Sequence, residues 1–519
     1  MSGINKESGE FDSRGPLEEA LLRLDQAGEK TEIDRASQVY VNRDLRMSSV
    51  QWVGFDMDYT LALYHQDALD ALSLKHAIDT LIEDMGYPHS IRDIKPDPNF
   101  AIRGLVIDKL KGNILKMDSH HYVGRVFHGL KAAAPEIRRV YQNERVRIEL
   151  DRYVLVDTLF SLPETFLYAA LIEHIEVENG KDDLDYLTLY NDVRKSIDKA
   201  HGDGRIKQDI LTDMSRYVYR DSSLADTLHN FRSAGKKLFL LTNSEWYYSD
   251  AIMAFLLDDA LSFYPSWTQY FDVIITSARK PRFFGQTTPF KRLDPEGKPL
   301  DETVERFVRG AVYEGGNAEE FERMVSGSGE NVLYIGDHIY GDIVRSKRDS
   351  SWRTTMIIQE MGVELEKQHL MVDENRRWTE LDNRLIAINS RMVNQKHVLN
   401  RLKKVIGEYK DGKSAESALS GPVDREDLLE VQKALNSSIE KQLDERRKVL
   451  TELIELDYEV SENFNPYWGL LFKEGSENSI FGSQVESYAC LYTAKVGNFL
   501  RYSPLQYFRA NRQLMPHEI

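Results

Sequence analysis

Short apolar runs recur along the chain, and four of them end in residues that carry chemistry. Ser49-Val50-Gln51-Trp52-Val53-Gly54-Phe55 reads as a strand running into Asp56-Met57-Asp58-Tyr59-Thr60. Lys237 to Leu241 runs into Thr242-Asn243-Ser244, Phe271 to Ile275 leads to Ala278-Arg279-Lys280-Pro281, and Asn331 to Ile335 ends in Gly336-Asp337-His338-Ile339-Tyr340-Gly341-Asp342. Continuous apolar runs bounded by turns fit strands buried on both faces, which predicts an α/β fold with a doubly wound, Rossmann-like parallel sheet. Such sheets bind ligands at the carboxyl ends of their strands, where the polar residues stand.

Between the first run and the Thr242 run lie roughly 170 residues of mixed helical and strand-like pieces, far more than a strand-helix-strand crossover needs. They predict an inserted α+β cap over 65–229. After Ile358 the period changes. Trp378, Leu381, Leu385, Ile388, Met392, Gln395, Leu399, Leu402, Ile406 and Tyr409 alternate spacings of three and four, a heptad seam with one polar member. A second helical stretch, from about Asp424 to Asp457, carries a less regular seam through Leu428, Val431, Leu435, Ile439, Leu443, Leu450, Leu453 and Leu456. The turn-rich segment 411–422 between them predicts an antiparallel helical hairpin over 363–458, each arm about 50 Å long at 1.5 Å per residue. Residues 1–36 read as a polar arm with one apolar patch at Leu17, Leu21, Leu22 and Leu24. The core is then discontinuous, 37–64, 230–362 and 459–519, its last piece aromatic-rich and expected to pack back on the sheet.

Composition narrows the function classes. At 519 residues and 41% hydrophobic content the chain is long enough for several well-buried cores. A formal charge of −17 opposes general binding of nucleic-acid polymers or anionic membranes, so an anionic substrate must be held by local Lys and Arg. A lone Cys490 supplies neither an intrachain disulfide nor a thiolate metal cluster, which favours a reducing, cytoplasmic setting. The beginning of the chain lacks a signal pattern, and no run approaches ~18 apolar residues, so no membrane span is expected.

Alone, Asp56-x-Asp58 fits a solvated turn or a helix cap as well as a phosphoryl-transfer site. The other strand ends change the balance. Thr242 to Ser244 offers a hydroxyl and backbone N–H donors for phosphate oxygens, Lys280 a compact cation, and Asp337 and Asp342 hard oxygen ligands for Mg²⁺. Adjacent His120 and His121, with His128 nearby, rarely face one ion, so Zn²⁺ is not favoured there.

The four motifs, in this order, resemble the haloacid dehalogenase superfamily. Gly54 to Ala62, Leu241-Thr242-Asn243-Ser244, Ala278 to Pro281, Tyr334 to Ile339 with Gly341-Asp342, and Ser351-Trp352-Arg353-Thr354 are similar to the cytosolic purine 5′-nucleotidase family. The likeness extends to Leu159-Phe160 with Leu162 to Thr165 and to Leu514-Met515-Pro516-His517-Glu518. It implies that Asp56 attacks phosphorus to form an aspartyl-phosphate while Asp58 protonates the leaving ribose oxygen and later activates water. It implies Mg²⁺ held by Asp56, the Asp58 backbone carbonyl and Asp337, with Asp342 behind them. Thr242, Asn243 and Ser244 would bind phosphoryl oxygens, and Lys280 would stabilise charge.

In the cap, Arg194, Asp198 and His201 fall on one face of a helix, which by spacing alone reads as a surface ion pair with an incidental histidine. The resemblance instead implies a nucleotide pocket. Phe160 and His201 would sandwich a purine, Asp198 would accept from the N1–H of hypoxanthine or guanine, Arg194 would face O6, and Lys207 would reach the phosphate. Ser161 stands where Asn is usual in the family, the loop Gly202 to Arg205 is more charged than usual, and Ser487 replaces a basic residue of the effector segment Phe481 to Tyr488. Apart from these departures, the motifs and the resemblance imply Mg²⁺-dependent hydrolysis of IMP and GMP by a homo-oligomer, a dimer or tetramer; some relatives also pass the phosphoryl group to a nucleoside. The alternatives are a phosphatase of another small phosphomonoester and a non-catalytic nucleotide sensor that acts through the hairpin.

Overall fold

In the computed structural model, which describes residues 33–144, 146–148, 151–179, 184–344, 350–410 and 424–511, nine strands form the central sheet. Their order is Tyr40–Val41, Leu491–Thr493, Arg353–Ile357, Val332–Gly336, Trp52–Phe55, Lys237–Leu241, Val273–Thr276, Val312–Gly315 and Phe290–Arg292. The inner seven run parallel and each edge strand is antiparallel to its neighbour. From Trp52–Phe55 the chain winds out through 237, 273 and 312, then returns to build the other half through 332, 353 and 491. The reversal opens a crevice at the carboxyl end of the Trp52–Phe55 strand. Both faces are covered, which is why the strands are apolar runs rather than alternating ones; all five residues of Val332–Gly336 are buried. Gly54 is required by close approach, because a Cβ there would lie 2.1 Å from the Phe239 ring.

The cap leaves and rejoins the core through a two-stranded ribbon in which Leu63–Tyr64 pairs with Val218–Tyr219. It holds a five-stranded antiparallel sheet, in the order Lys131–Ala132, Val123–His128, Asn113–Met117, Val106–Asp108 and Tyr153–Leu155. Helices Gln66–Met85, Leu162–Asn179 and Tyr186–Gly202 pack together beside it. The return to the core comes earlier than the expected boundary at 229. Helix Leu224–Ser233 already packs on the central sheet, with Phe231 6.4 Å from Phe55. The aromatic final segment supplies a sheet strand, Leu491–Thr493, and buries Phe481, Phe499 and Phe508.

Helices Val372–Lys410 and Arg425–Phe464, each about 60 Å long at 1.5 Å per residue, lie side by side. Arg384 pairs with Glu445, Asn389 with Arg446 and Gln395 with Ser438, so the arms are antiparallel. The first seam buries Leu381, Ile388, Met392, Leu399 and Ile406. The second differs from its expectation: Val431 and Leu443 are exposed, while Val449 and Val460 are buried with Leu428, Ile439 and Leu456. Its contact face passes through Gln442, the residue beside Leu443, because a steady heptad from Leu428 places polar 442 inward and apolar 443 outward. Residues 1–32 of the polar arm, the linker 411–422 and the Leu514–Glu518 motif lie outside the described residues.

Candidate active site

Four strand ends converge on one buried charge cluster. Asp56 follows Trp52–Phe55 directly, its N–H bonded to the Ile335 carbonyl of the neighbouring strand. Lys280 Nζ lies 2.8 Å from Asp56 Oδ1, 2.8 Å from Asp342 Oδ1 and 2.8 Å from the Tyr334 hydroxyl, and its side chain is 4% exposed. Asn243 brackets the Lys280 backbone, accepting from its N–H at 2.6 Å and donating to its carbonyl at 3.0 Å. Thr242 is fully buried, its hydroxyl oxygen accepting from the Ser244 N–H at 3.1 Å. Asp58 turns away from Lys280: its Oδ1 accepts from Tyr64 at 2.6 Å and its Oδ2 from Ser244 Oγ at 2.8 Å.

Oxygens of Asp56, Asp337 and Asp342 lie within 4.8 Å of one another, and Asp337 Oδ2 is buried without a hydrogen-bond partner. Burial pushes Asp337 up to about 7, with Asp342 adding to the shift. Burial also holds Asp56 well above the usual carboxylate range against the pull of Lys280. For Lys280, burial opposes the charge, but Asp342 and Asp56 outweigh it and raise its pKa. Three clustered carboxylates with one ammonium leave an excess of negative charge that a hard divalent cation fits. The Asp58 side chain stands outside that group.

Two cap residues reach this loop. Arg103, fully buried, donates to the Asp337 carbonyl at 2.7 Å and forks onto Glu360 at 2.8 and 2.7 Å. Asp157 meets His338 at 3.1 Å and, although burial works against charge, holds that imidazolium up to about 9. Neither was foreseen, since a lone Arg and a lone Asp carry no spacing signal.

A cavity of about 490 Å³ joins the core to the cap. The core lines it with Asp58, Asn243 and Ser244, and the cap with Phe160, Arg194, Asp198, His201 and Lys207. Arg194 is tied to Glu164 at 2.8 Å and to Asp198 at 3.2 Å, so the surface pair expected from spacing forms, with a third member. Glu164 is buried, and its signal lay in the Leu162-to-Thr165 string. Phe160 and His201 meet edge to face with centroids 5.8 Å apart. A base between parallel rings needs about 7 Å, two contacts of about 3.5 Å, so the expected sandwich is not preformed. Lys207, expected at a phosphate, is ion-paired with Glu245 and lies over the Tyr248 ring at 5.5 Å. Burial, then Lys207, lowers the His201 pKa and favours a neutral ring. The histidines set aside above find separate partners: His120 near Glu477, His121 on the Val146 carbonyl, His128 between Asn113 and Glu176. Ser487 lies in the helix Ile480–Tyr488, where Arg43 donates to its carbonyl.

A 5′ nucleotidase family model matches residues 39–519. A 5′-nucleotidase domain-containing protein of Dictyostelium discoideum is 30% identical over 92% of this chain and 74% of its own length. 5′-nucleotidase domain-containing protein 2 of Rattus norvegicus is 29% identical over 92% of this chain and 80% of its own. Among solved structures, a predicted phosphoglycolate phosphatase from Haemophilus somnus covers 60% of this chain and 86% of its own at 11% identity and TM-score 0.25. A 2-haloacid dehalogenase from Pseudomonas syringae covers 59% and 86% at 14% identity and TM-score 0.21. Overlaps that low decide nothing about activity.

Proposed function

The chain belongs to the 5′-nucleotidase family, a family of phosphomonoester hydrolases, and from that premise we propose that it hydrolyses purine nucleoside 5′-monophosphates with a 6-oxo base, IMP and GMP, in a Mg²⁺-dependent reaction. The observation that carries this reading is the single cavity lined by Asp58, Asn243 and Ser244 from the core and by Arg194, Asp198 and His201 from the cap. Asp56, Asp337 and Asp342 are the side chains that would hold the metal, which when bound supplies positive charge that offsets repulsion between Asp56 and the phosphate.

An Asp56 carboxylate oxygen attacks phosphorus; the bond to the ribose oxygen breaks, and Asp58 delivers its proton to that oxygen. Burial, which raises the Asp58 pKa against Tyr64 and Ser244, favours the protonated acid this step uses. Water then attacks the phosphorus of the aspartyl-phosphate, Asp58 takes its proton, and Asp56 leaves with its electron pair. Lys280 faces the charge that builds in both steps. In the cap, the base lies against Phe160 and His201, one ring turning to receive it. Asp198 accepts from N1–H, and Arg194, steered by Glu164, donates toward O6. Adenine offers no N1–H and leaves Asp198 unpaired, a penalty of about 1–3 kcal/mol. Lys207 trades Glu245 for the phosphate.

Phosphate release from IMP, GMP, AMP, UMP and p-nitrophenyl phosphate, with and without Mg²⁺, tests this directly. Metal-dependent turnover concentrated on IMP and GMP is expected. Equal turnover of all five would discard the base pocket and keep the hydrolase; none would favour the nucleotide-sensing scaffold.

A further inference from the structure

Each oxygen of Asp58 is held by a hydroxyl, and one of these has no part in the chemistry above. Ser244 holds Oδ2; Tyr64 holds Oδ1 at 2.6 Å. The Tyr248 hydroxyl lies 2.9 Å from that of Tyr64. Tyr64 gives its one proton to Asp58, so Tyr248 is the donor in the second contact. Both phenols are almost wholly buried, yet both line the substrate cavity.

Their anchors are independent. Tyr64 belongs to the ribbon strand leading into the cap and packs edge-on against Tyr59 at 5.1 Å. Tyr248 sits in the first turn of helix Trp246–Leu257, which follows the Thr242-Asn243-Ser244 corner. Burial pushes both phenols above their ordinary pKa, so they stay protonated and act as donors. The last torsion of an aspartate side chain is loosely held, with broad minima. A donor at each oxygen fixes it, and with it the direction in which the carboxyl presents its proton.

We propose that Tyr64, backed by Tyr248, is a positioning residue that aims the Asp58 carboxyl at the leaving oxygen of the phosphomonoester. The inference rests on the acid–base role given to Asp58. Neither tyrosine changes its protonation: the proton passes from Asp58 to the departing oxygen as its bond to phosphorus breaks, and returns to Asp58 from the attacking water. The demand for that proton depends on the leaving group. A ribose alkoxide is a poor one, whereas p-nitrophenolate departs without protonation.

The test compares Tyr64→Phe, Tyr248→Phe and the double variant on an alkyl phosphate and on p-nitrophenyl phosphate, both with Mg²⁺. For Tyr64→Phe, the single-turnover rate of nucleoside release from IMP should fall about 10–100-fold, while that of p-nitrophenolate release stays within about 3-fold, each rate reporting leaving-group departure before water attacks the shared intermediate. Tyr248→Phe should show a smaller loss of the same selectivity. The double variant should be no worse than Tyr64→Phe, because the two hydroxyls act in series. Equal losses on both substrates, no loss on the alkyl phosphate, or a multiplicative double variant would each overturn the assignment. Retained single-turnover release of p-nitrophenolate certifies folding, and Tyr248→Phe carries the test if Tyr64→Phe does not fold. If the wild type prefers ribose 5-phosphate to IMP, the purine reading fails while the leaving-group comparison stands on that substrate.

Discussion

The buried charge cluster of the core and the cap wall of the cavity are built from opposite kinds of electrostatics. In the core, the Lys280, Asp56 and Asp342 side chains are 4%, 12% and 1% exposed, and Lys280 meets both carboxylates at 2.8 Å. In the cap, Arg194 and Asp198 are 48% and 61% exposed, and their contact is 3.2 Å. Buried ion clusters are costly to rearrange, because a lost partner strands a desolvated charge. Half-exposed pairs are worth tenths of a kcal/mol and exchange readily for a ligand. The core cluster is therefore rigid, whereas in the cap the Arg194–Asp198 contact can be exchanged at little cost while Arg194 keeps the buried Glu164. The perpendicular Phe160 and His201 rings fit the same division.

The largest effect should come from the rigid cluster. Asp56→Asn should lower turnover roughly 10⁴-fold or more while the thermal midpoint changes little, since Lys280 keeps Asp342; substantial remaining phosphate release would remove Asp56 from the nucleophile role. Arg103→Met probes whether the cap braces that cluster. Breaking its fork to Glu360 should cost about 3–5 kcal/mol in chemical denaturation, and a cost under about 1 kcal/mol would show that the latch is slack.

Asp70, on the first cap helix, is a buried carboxylate pushed up to about 7 by burial, with Gln66 as its side-chain partner. Its folded pKa exceeds the unfolded 3.8, so its contribution is fully present below pH 3.8 and is lost as pH rises toward 7. Asp70→Asn should remove that loss, raising stability over wild type above pH 7 by an upper bound of about 4 kcal/mol. An unchanged difference between pH 4 and pH 8 would refute the shift.

At the cap wall, Asp198→Ala should lower kcat/KM about 5–150-fold for IMP and GMP, with p-nitrophenyl phosphate spared. Equal losses would place Asp198 outside the base site. Smallest of all, Glu445→Ala on the hairpin should cost under about 1 kcal/mol, because its partner Arg384 is 54% exposed. Light scattering on a variant charged at Ile386 and Val393, exposed together on one arm, asks whether that arm joins copies of the chain. An unchanged mass would leave it a self-packed hairpin.

The core was more legible than the cap for the same physical reason. Asp56, Thr242, Lys280 and Asp337 each follow an apolar run, so local pattern names both the strand and the residue it delivers. Arg103, Asp157 and Glu164 reach their targets across long sequence separations and follow no period. In the hairpin, composition showed two long helices. The inward face of the second arm turned on whether 442 or 443 faced the partner, a choice that the partner's surface makes.

By itself, the sequence determined a parallel α/β core, an insertion after the first strand, a helical pair and a set of carboxylates, hydroxyls and a lysine at strand ends. These follow from periodicity and local chemistry, which act over a few residues. Tertiary structure alone decided that Lys280 lies between Asp56 and Asp342, that Arg103 reaches the Asp337 carbonyl, and that Tyr64 and Tyr248 line up behind Asp58. Those contacts join residues up to 234 positions apart. Strand order in the sheet brings Lys280 to Asp56 and Asp342, packing of the cap against the core brings Arg103 to Asp337, and burial then makes each contact strong enough to matter.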